Sequence, residues 1–66
     1  MKFKVGDVVT PKPIIPDNEY WYEYYHLTPG EKYIAFEVDE EFEHVKVRDD
    51  WDRWAWVSAI NLKLVE

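Results

Sequence analysis

The clearest period-two pattern in the chain runs from Glu43 to Arg48, where Val45 and Val47 alternate with His44, Lys46 and Arg48. Successive side chains of a strand point to opposite faces, so this segment predicts a half-buried antiparallel strand. Asp49-Asp50-Trp51-Asp52 supplies a hairpin turn, and Arg53 to Val57 predicts the returning strand. Upstream, Lys32 to Val38 alternates Ile34, Phe36 and Val38 with Tyr33, Ala35 and Glu37. Both faces of that strand are apolar, so one meets the core and the other needs a cover. Phe3, Val5, Val8 and Val9 frame a first strand, interrupted at Gly6-Asp7 by a tight turn or bulge. At the other end, Ser58 to Asn61 is short enough for a single 3₁₀ turn before Leu62, Leu64 and Val65 close the sheet.

Between these elements, residues 11 to 30 read as one long excursion. Pro11, Pro13 and Pro16 exclude a central strand, and Thr28-Pro29-Gly30 predicts a type II turn at its end. A structureless loop of this length is unusual in a small domain, so Asp17 to Tyr25 is expected to carry packing of its own. Asp17 suits a helix cap, whereas Tyr20-Trp21-Tyr22 and Tyr24-Tyr25 are poor helix formers. A short helix and an irregular arm both remain open.

Composition narrows the class. With 66 residues there is room for one core and no second domain, so residues 1–66 are read as one unit. No cysteine is present, which removes disulfides and thiolate zinc sites as supplements to that core. Aromatic residues make up 18% of the chain, with four Trp and five Tyr, more than so small a core can hold. The N-terminal residues lack the apolar stretch of a signal peptide and no apolar run approaches a membrane span, so a cytoplasmic location is expected.

Five short strands, a long first loop, a late tight hairpin and a 3₁₀ turn before the last strand together predict an all-β, five-stranded SH3-like barrel. Particular segments sharpen this: Phe3-Lys4-Val5-Gly6-Asp7-Val8-Val9, Leu27-Thr28-Pro29-Gly30-Glu31-Lys32-Tyr33, Val45-Lys46-Val47-Arg48-Asp49-Asp50, and Trp56-Val57 with Leu62-Lys63-Leu64-Val65. Together they resemble the small SH3-like proteins common in bacteriophage genomes, over nearly the whole chain. These motifs mark turns and core positions and specify no chemistry. The acidic first-loop motif and final Pro-x-x-Tyr of signalling SH3 domains are missing, since Trp54-Ala55-Trp56-Val57 is followed by Ser58-Ala59-Ile60-Asn61.

Catalysis finds few reagents: one Ser (Ser58), and His26 and His44 without a sequence-evident partner. The chain is therefore expected to be non-catalytic and to carry no cofactor. Glu40, Glu41, Glu43 and His44 form no convincing metal set, because Glu43 and His44 face opposite sides of a strand. Pro13-Ile14-Ile15-Pro16 is read as loop scaffold rather than as a ligand motif.

Charge carries the functional expectation. The net charge is −6, and eight acids against two cations between Glu37 and Asp52 account for all of it. Such a surface repels phosphate, so direct nucleic-acid binding is not expected. Carboxylates on a rigid hairpin can instead imitate a duplex. The predicted function is a phage-type effector that binds a host protein through Glu37, Asp39, Glu40, Glu41, Glu43, Asp49, Asp50 and Asp52, as a DNA mimic directed at a sliding clamp, nucleoid protein or RNA polymerase. Trp21, Tyr22, Tyr24 and Trp51 are the aromatic candidates for the same role, because such rings anchor interfaces with few rotamers to freeze. The alternatives are an accessory homo-oligomeric module, a homodimer foremost, using the aromatic loop and the spare face of Ile34 and Phe36, and a nucleic-acid-binding barrel.

Overall fold

The computed structural model describes residues 3–13 and 24–66. Six strands follow in order: β1 (Val8–Pro11), β2 (Tyr33–Ile34), β3 (Glu37–Asp39), β4 (His44–Arg48), β5 (Trp54–Ser58) and β6 (Leu62–Leu64), with a 3₁₀ turn at Ala59–Asn61. They form two antiparallel three-stranded sheets, ordered β2-β1-β6 and β3-β4-β5. Pro11, expected to lie outside any central strand, ends the central strand β1 opposite Leu62, and a strand's last position tolerates the missing N–H. The fold is all-β with almost no helix. Among the described residues no strand ladder joins the two sheets into a closed barrel.

The sixth strand arises where the sequence pattern suggests one continuous element. Ala35 donates its N–H to Asp7 O at 2.9 Å, towards the first sheet, while Phe36 donates to Lys46 O at 2.8 Å, towards the second. The Lys32 to Val38 segment therefore changes sheets at Ala35-Phe36, giving β2 and β3. This bend also breaks the alternation. Ala35 is buried, and Phe36 and Glu37 are both exposed.

Inward-facing positions supply the core between the sheets: Phe3, Val9, Leu27, Tyr33, Ala35, Val45, Val47, Val57 and Leu62. Val45 stands opposite Val57 and Val47 opposite Ala55, so β4 and β5 present one apolar row inward. Burying each of these valines contributes about 1.5–3 kcal/mol. Glycines close two turns that L-residues would strain, Gly6 at φ 95° and Gly30 at φ 93°. Asp7 N–H bonds Lys4 O and Glu31 N–H bonds Thr28 O across these turns, the second bearing the Pro-Gly pair of a type II turn.

Candidate interaction face

The outward face of the second sheet follows from the same alternation. With Val45, Val47 and Val57 turned inward, Lys46 and Arg48 on β4 face out, and their cross-strand partners on β5 are Trp56 and Trp54. Glu37 on β3 stands beside Lys46 on the other side. Phe36 joins this face because of the bend that precedes it, and its ring meets Trp54 edge-on with centroids 5.0 Å apart. Phe36, Trp54 and Trp56 are each 46% exposed, so three large rings lie half-open to solvent on one sheet face.

Two cations are laid over these rings. Lys46 Nζ sits 4.6 Å from the Trp54 ring centroid and 5.9 Å from that of Trp56, and 2.7 Å from Glu37 Oε2. The Arg48 guanidinium carbon lies 4.0 Å from the Trp54 centroid, with Nε 3.3 Å from Asp52 Oδ1. Exposed ion pairs of this kind contribute at most about 1 kcal/mol each. Their larger effect is to fix the rings and to neutralise the middle of the face, since each cation has its own carboxylate. Beside Trp56 an open groove of about 680 Å³ is lined by Phe3, Lys4, Val5 and residues 37–40.

The acids expected to form one surface are divided by the fold into groups with different work. Asp49 is buried, and its Oδ1 accepts the N–H groups of Trp51 at 2.9 Å and Arg53 at 2.8 Å, which holds the β4–β5 turn. Asp50 straps the preceding loop to that turn. Its Oδ2 accepts from Thr28 Oγ1 and its Oδ1 from the Tyr33 hydroxyl, both at 2.7 Å. Burial, followed by the Asp50 hydrogen bond, pushes the Tyr33 phenol up to about 12. Asp52 and Glu37 are paired to Arg48 and Lys46. Asp39 Oδ1 accepts the N–H groups of Glu41 and Phe42, closing the β3–β4 turn. Only Glu40, Glu41 and Glu43 remain, exposed and with no ion pair among the described residues. The two acidic turns lie at opposite ends of β4, roughly 16 Å apart along a five-residue strand.

The aromatic candidates are scattered too. Trp51 stacks on His26 with centroids 4.0 Å apart at the β4–β5 turn, and Arg53 lies over its ring. Tyr24 is exposed on the loop before β2, whereas Tyr25 packs against the core. Trp21 and Tyr22 lie outside the described residues. Of the row of Phe36, Trp54 and Trp56, the sequence reading singles out Phe36 alone, on a spare face with Ile34, and not the two tryptophans, although Trp54-Ala55-Trp56 already places two rings in the register opposite to Ala55 and Val57.

Among the described residues no group of three or more His, Asp or Glu side chains is arranged to hold a metal ion, and no helix is long and apolar enough to cross a membrane. Compared with protein-family models, curated proteins and solved structures, the chain matches none.

Proposed function

We propose that this domain is a non-catalytic protein-binding module whose working surface is the outward face of β3, β4 and β5. The observation that carries this reading is the row of Phe36, Trp54 and Trp56, half-exposed and held in place by Lys46 and Arg48. A domain this small gains stability by burying aromatic rings, so three left half-open on one rigid sheet serve contact rather than the core. Tryptophan and arginine are the residue types that dominate binding energy at protein interfaces. The free carboxylates of Glu40, Glu41 and Glu43 rim the same sheet at the β3–β4 turn and steer a basic partner towards it. A duplex surrogate would need a longer row of free carboxylates than this turn supplies. The phage-type effector role remains part of this proposal at the level of resemblance, with a host protein as partner.

Capture from bacterial lysate tests the reading with three baits: wild type, Trp54→Ala/Trp56→Ala, and Glu40→Gln/Glu41→Gln/Glu43→Gln. The aromatic variant loses the captured protein at all salt concentrations. The neutralised variant keeps it, with a flatter salt dependence. Unchanged capture by a folded aromatic variant refutes the assignment of this face.

A further inference from the structure

We propose that the groove beside Trp56 receives an arginine side chain from a basic segment of the partner protein. This rests on the outward-face reading above and specifies what that face accepts.

The groove brings together the parts a guanidinium needs. Glu40 lines it with a carboxylate that has no ion pair among the described residues, Asp39 keeps its Oδ2 beyond the turn hydrogen bonds that Oδ1 accepts, and Glu37, already paired with Lys46, adds its charge nearby. Trp56, Phe3 and Val5 supply apolar lining for the aliphatic stem. Among the described residues three carboxylates line it against the single cation Lys4, so the acids prevail. The adjoining face already holds a cation in this manner. Lys46 Nζ is bound by a carboxylate at 2.7 Å while lying over two tryptophan rings at 4.6 Å and 5.9 Å, so on this sheet a carboxylate beside an indole is the arrangement that holds positive charge.

Charge decides among occupants. A nucleic acid would bring phosphates against Glu37, Asp39 and Glu40, and a second copy would bring a net −6 against a net −6. A basic segment meets complementary charge at the β3–β4 end of the groove, where Glu40, Glu41 and Glu43 are exposed. Arginine suits the groove better than lysine because its planar, weakly hydrated guanidinium stacks on an indole and bonds a carboxylate in bidentate fashion. A volume of about 680 Å³ exceeds one side chain, so neighbouring residues of the segment rest in the groove as well.

Fluorescence anisotropy of the purified protein with labelled nona-arginine, nona-lysine and a single-stranded DNA oligonucleotide tests the inference, with two-dimensional NMR to locate the contact. The arginine peptide is expected to bind at least about fivefold more tightly than the lysine peptide. Its shifts should centre on residues 36–40, 54 and 56. Trp56→Ala should weaken arginine-peptide binding about tenfold or more and erase the preference over lysine. Trp56→Phe, which keeps a ring, should retain most of it, and Trp51→Ala at the far turn should change nothing. Equal binding of the two peptides with Trp56→Ala unchanged would show simple polyelectrolyte attraction and overturn the proposal. So would DNA binding at this face, or a concentration-dependent dimer in sedimentation that Trp56→Ala abolishes. If partner capture needs Trp54 and Trp56 but the arginine peptide does not bind, this inference alone falls. If capture ignores both tryptophans, the broader reading falls with it.

Discussion

Replacing Asp50 by Ala removes a carboxylate that the fold uses twice. The Tyr33 hydroxyl and Thr28 Oγ1 each donate to it at 2.7 Å, and Tyr33 is a buried core residue. A hydrogen bond to a charged acceptor contributes about 1.5–3 kcal/mol when desolvated, and the more exposed Thr28 bond less. The Tyr33 hydroxyl keeps one bond, accepting the Thr28 N–H at 2.8 Å, but loses its acceptor. A net loss of about 2–3 kcal/mol is expected, which for a domain of this size lowers Tm by roughly 10–20 °C. Asp50→Asn retains an acceptor oxygen and should lose about half as much. Thermal and urea unfolding followed by circular dichroism measure this, with Tyr33→Phe and the double variant completing a cycle. A coupling of about 1 kcal/mol between the two positions is expected. A Tm change below about 3 °C for Asp50→Ala would refute the strap.

Neutralising Glu40, Glu41 and Glu43 together should shift unfolding free energy by no more than about 0.5 kcal/mol, since these charges are exposed and repel one another. Tyr33 makes stability depend on alkaline pH: burial pushes its phenol up from the ordinary 10.0 to about 12, so its contribution is complete below pH 10 and is lost as pH rises towards 12. Urea midpoints across that window should fall, and Tyr33→Phe should flatten the fall. Gly30→Ala meets no steric neighbour but must hold φ 93°, so unfolding measurements should show a loss of about 1 kcal/mol. Val57→Ala empties part of the core opposite Val45 and should lose about 2 kcal/mol, more than Trp56→Ala on the outer face of the same strand.

The β4–β5 hairpin and the 3₁₀ turn were legible because alternation and turn residues are local signals. Val45 and Val47 with His44, Lys46 and Arg48 define the faces of β4 without reference to anything distant. The change of sheet at Ala35-Phe36 was not legible. Nothing in the alternation of Lys32 to Val38 reveals which backbone groups pair with Asp7 and which with Lys46. The candidate site suffered from the same limit. Eight acids between Glu37 and Asp52 suggest one surface, yet three antiparallel strands send their two turns to opposite ends of β4, and Asp49 and Asp50 are consumed by turn and strap hydrogen bonds. Conversely, Phe36 lies far in sequence from Trp54 and Trp56, and only pairing through β4 brings the three rings onto one face.

Site-specific photo-crosslinking tests most directly whether that face is the working surface. A benzophenone amino acid is placed at Phe36, on the outward face of the second sheet, and separately at Leu64, an exposed position on β6 of the first. Irradiation in bacterial lysate should give a discrete protein adduct from position 36 and none from position 64. An adduct from position 64 alone, with both variants folded, would contradict the account.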